Sequence, residues 1–355
     1  MNQFRLPYHL IIEEGILSDI TSCMKDIFPD LKQAKAVLVT TEHLKGLFQE
    51  IVDGIQKDFS RSELYLVETA SYDKAAALAK YITMNDIKLV IGFGGGAVLD
   101  LVKFAAYVSK TRLISLPTAL SNDSLASPTA VLGTEGKARK SFRCTIPDAI
   151  IVDLDIVKNT PERQLLAGIG DTLSKYTALY DWKLAGRKKG EAVDDFACMI
   201  SHMAFESILF NTAADLQDRD FIRRLTDALV MGGLAMEIAG SSRPCSGSEH
   251  LFCHALEEEF AEQVNVPHGI ATAMGTYPAC ILQGRNPAKV IKIIKQYGIP
   301  ARPSENGVTE DLFVQAWQGA ANTRADRYTI LNEADLSTAR LQEIYAQMEE
   351  DLCSH

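Results

Sequence analysis

Four short apolar runs in the first half of the chain each end at a polar or glycine-rich turn, and helical-period segments separate them. This alternation, and its abrupt end near residue 160, restricts the fold more than any other feature. The runs are Ala36-Val37-Leu38-Val39, Leu64-Tyr65-Leu66-Val67, Lys88 to Phe93 and Arg112 to Leu116, with helical spacing over 44–59 and 75–84. A strand without polar alternation is buried on both faces, and strands joined through helices pair in parallel. The pattern therefore predicts an α/β unit whose parallel sheet is covered on both sides. Around 130–152 the rhythm shifts to short strands with glycines at 133 and 136, which predicts an antiparallel hairpin.

From Thr160-Pro161-Glu162 onward the pattern is helical, Thr160 reading as an N-cap and Pro161 as the first helical position. Helical spacing covers 173–185, 192–212, 220–239, 248–261, 270–282, 312–321 and 341–351, with no comparable strand. The expected architecture is an α/β domain over 1–160 followed by an all-helical domain over 161–355. A length of 355 residues accommodates two cores.

The formal net charge is -10, with Lys and Arg dispersed, so no basic face awaits a phosphate backbone and no nucleic-acid partner is expected. Seven cysteines, an odd number with no CxxC pair, point to a reducing compartment. The opening MNQFRLPYHLIIEEG lacks the basic and apolar regions of a signal peptide, and no apolar stretch reaches membrane-spanning length. A cytoplasmic location with no membrane span is expected.

Two loops carry anion-binding chemistry. The run ending at Phe93 enters Gly94-Gly95-Gly96-Ala97-Val98 and then a helix. Glycines at such a turn admit close backbone approach, and the helix start offers free N–H groups to a pyrophosphate. The alternative is a tight turn with no ligand. The next strand enters Thr118-Ala119-Leu120-Ser121-Asn122-Asp123-Ser124, rich in hydroxyls with one carboxylate, where open α/β sheets bind ligands. A third set lies in the helical half: Asp171 at a predicted helix start, His250 also near a helix start, His254 one turn later, and His268 before the next helix. One carboxylate and two imidazoles suit a divalent cation with open positions. An N-capping Asp171 and hydrogen-bonded surface histidines are the alternatives.

The strings GFGGGAVLDLVK from Gly92, LPTALSNDSLASP from Leu116, IGDTLSKYTALYDWKLA from Ile169, SGSEHLFCHAL from Ser246 and PHG from Pro267 resemble the glycerol-1-phosphate dehydrogenases. These lie within the superfamily of iron-type alcohol dehydrogenases and dehydroquinate synthases. The resemblance implies a Rossmann-like dinucleotide-binding domain followed by an all-α metal- and substrate-binding domain. It implies NAD or NADP held by Gly94, Gly95, Gly96, Ala97, Val98, Thr118, Ala119, Leu120, Ser121 and Ser127. It also implies a zinc ion, with nickel or iron as alternatives, on Asp171, His250 and His268. Asp123 and His254 would act at the substrate, a phosphorylated triose or polyol. The implied reaction interconverts dihydroxyacetone phosphate and sn-glycerol 1-phosphate, in a self-associating chain. Proton delivery by His254 or by water follows as a hypothesis.

Two departures stand out. The family pattern has His-Asp-Gly where this chain has Asn122-Asp123-Ser124, and His-Gly-Glu where it has His268-Gly269-Ile270. The competing readings are a glycerol or alcohol dehydrogenase on an unphosphorylated substrate, a dehydroquinate synthase-like cyclase, and a binding protein with a decayed site. Whether Glu42, after the first apolar run, reaches a cofactor ribose is open between NAD and NADP.

Overall fold

The computed structural model describes residues 4, 6–20, 34–59, 61–134, 137–210 and 215–353. Cys23, Gly136, His355 and the end of segment 192–212 lie outside the described residues. The chain divides into two compact units, Met1–Pro161 and Glu162–His355.

Among the described residues the first unit contains eight strands: β1 (His9–Glu13), β2 (Ala36–Thr40), β3 (Ser62–Leu66), β4 (Leu89–Gly94), β5 (Arg112–Pro117), β6 (Thr129–Thr134), β7 (Lys137–Arg143) and β8 (Ala149–Asp153). Six form a wholly parallel sheet in the order β1-β8-β5-β4-β2-β3, and β6 pairs with β7 as the expected antiparallel hairpin. Strands β2, β4 and β8 are buried throughout, as their unbroken apolar runs require. Strands β1 and β8 extend the sheet beyond the four runs; β1 is an edge strand with a single buried residue and only the three-residue apolar run Leu10-Ile11-Ile12.

Helices α1 (Glu42–Leu47) and α2 (Gln49–Asp58) link β2 to β3, α3 (Tyr72–Met84) links β3 to β4, and α4 (Gly96–Ser109) links β4 to β5. Segment 44–59 is thus two helices rather than one. Phe48 breaks it at φ -123°, ψ 40°, placing its ring edge-on to Phe93 at 5.7 Å. Val52, Ile55 and Phe59 pack on one face of the sheet, while Leu78, Ile82, Leu101 and Val102 from α3 and α4 pack on the other. Strand order therefore reverses between β2 and β4, with the following helices on opposite faces. Open α/β sheets bind ligands beyond the strand ends at such a reversal. The glycine run follows β4, and Thr41-Glu42 follows β2.

The second unit is helical: α5 (Glu162–Lys189), α6 (Asp195–Leu209), α7 (Arg219–Ala239), α8 (Ser248–Glu259), α9 (His268–Leu282), α10 (Ala288–Tyr297), α11 (Glu310–Gly319) and α12 (Thr338–Asp351). The α5 helix runs 28 residues, with Leu165, Ile169, Leu173 and Trp182 among its buried residues. It begins before the predicted 173–185 and corrects two expectations. Asp171 is not at a helix start but inside α5, buried with 2% exposure. Gly168 and Gly170 resemble helix-boundary punctuation in the sequence, yet Gly170 is needed for close approach. A Cβ there would lie 2.1 Å from the Gly269 carbonyl oxygen of α9. Nor does the Thr160 hydroxyl cap the helix: it donates to Val157 O at 2.6 Å and accepts from Leu120 N at 3.3 Å. Helix α10, absent from the sequence reading, buries Val290, Ile293, Ile294 and Tyr297 on one face.

Candidate active site

In the first unit the glycine run and the hydroxyl-rich loop lie side by side. Thr118 N donates to Gly94 O at 3.0 Å, and a Cβ on Gly96 would meet Ser124 Oγ at 2.8 Å and Asn122 Oδ1 at 3.2 Å. Gly95 caps α4 with its backbone extended, and Gly95, Gly96 and Ala97 remain accessible whereas Val98 is buried. The first turn of α4 therefore presents backbone N–H groups beside Thr118, Ala119 and Ser121. Leu120 and Ser127 face inward. Leu120 is fully buried, and Ser127 is held by Lys103 Nζ, which donates to its carbonyl at 3.2 Å and its hydroxyl at 3.1 Å. Lys103, 1% exposed and paired with Asp100 at 2.9 Å, pins this loop to α4. Asp123 opens a single 3-10 turn and is half-buried; its carbonyl accepts from Ala126 N and Ser127 N.

In the second unit three helices deliver the other predicted set. Asp171 comes from the middle of α5, His250 from the first turn of α8, and His268 is the first residue of α9. One donor atom of each lies within 4.8 Å of the others. His250 Nε2 is 3.7 Å from Asp171 Oδ1, and the two imidazole centroids are 5.3 Å apart. His254 stands beside them, its ring 6.4 Å from that of His250 and 6.0 Å from that of His268.

The far nitrogens of the two imidazoles are occupied. His250 Nδ1 lies 2.9 Å from Glu249 Oε1, and Glu249 is itself fully buried, accepting from Gly247 N at 2.6 Å and Thr177 Oγ1 at 2.8 Å. His268 Nδ1 lies 3.0 Å from Glu257 Oε1 and 3.3 Å from Cys253 Sγ. With Nδ1 donating to a carboxylate, each ring keeps the Nε2 lone pair for another partner. Burial opposes ionisation of Asp171, but Lys175 and His250 outweigh it and hold the carboxyl well below the usual carboxylate range. Its Oδ2 is buried with no hydrogen bond among the described residues, Lys175 Nζ standing 3.6 Å away. Burial pushes His254 down to about 4, whereas Cys253 and Glu257 raise His268 well above its ordinary value against the effect of burial.

One carboxylate and two imidazoles with a donor atom of each within 4.8 Å of the others form a donor set that fits a divalent cation. His268 keeps 26% exposure, so the set is not sealed. Three protein donors leave coordination positions for small molecules.

A family model described as iron-containing alcohol dehydrogenase matches residues 12–161. The glycerol-1-phosphate dehydrogenase [NAD(P)+] of Sulfurisphaera tokodaii is 34% identical over 331 residues, 92% of this chain and 93% of the relative. That of Pyrobaculum islandicum is 36% identical over 337 residues, 94% of both chains. The chain belongs to the glycerol-1-phosphate dehydrogenase family. A probable glycerol dehydrogenase from Sinorhizobium meliloti superposes with a TM-score of 0.77 over the whole of both chains at 20% identity, which establishes the shared fold.

In this glycerol-1-phosphate dehydrogenase family member, the carboxylates behind the histidines escaped the sequence reading. Neither Glu249 nor Glu257 is among the residues the sequence analysis singles out. The available signal was helical spacing: Glu249, Cys253 and Glu257 recur every four residues and share one face. The position two beyond His268 is Ile270, fully buried in the second unit.

Proposed function

We propose that this chain is an NAD(P)-dependent, metal-assisted dehydrogenase that interconverts dihydroxyacetone phosphate and sn-glycerol 1-phosphate. The observation that carries the reading is the convergence of Asp171, His250 and His268 donors within 4.8 Å, in a chain over 30% identical to relatives bearing that name. In this reading Asp171, His250 and His268 would hold the cation; two imidazoles and a carboxylate favour zinc, with nickel and iron as alternatives. The cation would supply Lewis acidity at the substrate oxygen, and the nicotinamide would supply the hydride.

The chain's own residues supply the rest. Backbone N–H groups at Gly95, Gly96, Ala97 and Val98 bind the cofactor pyrophosphate at the start of α4, and Thr118, Ala119 and Ser121 form the adjoining wall. Leu120 and Ser127 act by holding the loop. Asp123 contacts substrate. His254, neutral because burial holds it at about 4, presents an imidazole that exchanges the hydroxyl proton. Two units divide these tasks: a dinucleotide-binding unit ending near residue 160 and a metal- and substrate-binding unit after it. No described helix is long and apolar enough to cross a membrane. A cytoplasmic homo-oligomer is proposed.

The test is a spectrophotometric assay of NADH and NADPH oxidation with dihydroxyacetone phosphate, and in the reverse direction of NAD+ and NADP+ reduction with glycerol 1-phosphate against glycerol. The reading predicts turnover with the phosphorylated ketone, abolished by dipicolinate and restored by zinc. Faster turnover of glycerol than of glycerol 1-phosphate, or indifference to the chelator, would refute it.

A further inference from the structure

The three donor residues are not equally well anchored. Asp171 sits in the middle of a 28-residue helix, and His250 is backed by the fully buried Glu249. His268 is the first residue of its helix and 26% exposed, with the apolar Ile270 two positions on. Its own helix supplies no polar group to hold the ring. The group that does so comes from the last turn of α8. Glu257 Oε1 lies 3.0 Å from His268 Nδ1, with Glu257 17% exposed and its Oε2 3.6 Å from His254 Nδ1.

We propose that Glu257 is the positioning residue that fixes the His268 ring and its tautomer for metal binding, doing from α8 what no residue of α9 does. The proposal rests on the reading of Asp171, His250 and His268 as a cation site. A neutral imidazole carries one N–H. A carboxylate accepting at Nδ1 keeps the proton there, leaves the Nε2 lone pair toward Asp171 and His250, and raises the basicity of the ring. Cys253 Sγ, at 3.3 Å from the same nitrogen, is a weak acceptor, and its own position 3.6 Å from His268 O suits it to donate there. Without Glu257 the ring loses its charged partner, and either nitrogen can carry the proton. Partners of this kind are worth 10- to 100-fold in metal affinity. The same carboxylate stands beside His254, so one side chain serves both the exposed metal histidine and the proposed substrate histidine.

The experiment measures zinc affinity of the metal-stripped chain by competition with a chromophoric chelator, for wild type, Glu257→Ala and Glu257→Gln. Near-UV circular dichroism checks the fold, and 15N spectra of the His268 ring in the stripped protein, recorded at alkaline pH where the ring is neutral, report the tautomer. The expected result is one zinc per wild-type chain and about 10- to 100-fold weaker binding in Glu257→Ala. Glu257→Gln, which keeps an acceptor oxygen without the charge, falls between them. The wild-type ring is protonated at Nδ1, and the Ala variant is a mixture. A folded Ala variant within twofold of wild type overturns the proposal. Should that variant not fold, a Gln variant equal to wild type overturns it. Two zinc ions per chain, the second on Cys253, Glu257 and His268, also overturns it, because Glu257 would then be a ligand. A wild-type chain that binds no zinc refutes the underlying cation reading itself, an outcome separate from these.

Discussion

Gly269→Ala tests whether helix contact sets the cation site. The Cβ added at Gly269 would sit 1.8 Å from the Ala167 carbonyl oxygen and 2.9 Å from Ala167 Cα, both backbone atoms of α5 that cannot rotate aside. Real Cβ atoms keep at least 3.0 Å, so α9 must move from α5 by about 1.2 Å at this point. His268 adjoins the substituted residue, while Asp171 rides on the opposing helix. The displacement therefore separates the two donors directly. Metal–ligand distances tolerate about 0.2 Å, several times less than the shift. Overpacking of this kind costs about 1–3 kcal/mol, or about 2–12 °C in melting temperature for a unit of this size. Zinc affinity, read by chelator competition, should fall about 100-fold or more, beyond what loss of a supporting hydrogen bond brings. The control is Gly284→Ala, outside the site, where nothing lies within 4 Å but φ is +69°; it should cost stability without touching zinc affinity. If Gly269→Ala bound zinc as tightly as wild type, the close approach of α5 and α9 would not be what gathers the donors.

Three further outcomes are expected. His254→Gln should lower kcat by about 10²-fold or more and flatten the pH dependence of kcat; unchanged turnover and profile would remove His254 from proton transfer. Glu42→Arg, at the start of α1 just after the strand flanking the sheet reversal, should shift kcat/KM from NADH toward NADPH; a constant ratio would show that Glu42 is remote from the ribose. Burial pushes the Cys144 and Cys280 thiols up to about 11, so at pH 8 their thiolate populations should lie about 100-fold below an ordinary thiol. Disulfide-exchange reagents should then label Cys353 before Cys144 and Cys280 in the native protein, and rapid labelling of Cys144 or Cys280 would contradict the burial.

The sequence and the structure part company where long-range packing decides local form. Buried parallel strands announce themselves as unbroken apolar runs, so β2, β4 and β5 were legible, and the sheet class with them. Edge strand β1 carries only the short run Leu10-Ile11-Ile12, with a single residue buried. Gly168 and Gly170 suggested a helix boundary before Asp171, because local propensity cannot register that α9 presses its backbone against that spot. The residue types of the cation site were legible; the carboxylates behind the imidazoles were not. Helical spacing puts Glu257 on one face with Glu249 and Cys253, but the histidine it meets lies eleven residues downstream on another helix. Asn122 and Ser124, which depart from the family pattern, prove to pack over Gly96, which ties that departure to the glycine turn.

The most direct measurement is an anomalous difference map from crystals of this chain soaked in zinc and recorded at the zinc edge. The account predicts one strong peak about 2.0–2.2 Å from an Asp171 carboxylate oxygen, His250 Nε2 and His268 Nε2 together. A peak bonded to Nδ1 of either histidine, or none shared by all three residues, would contradict it.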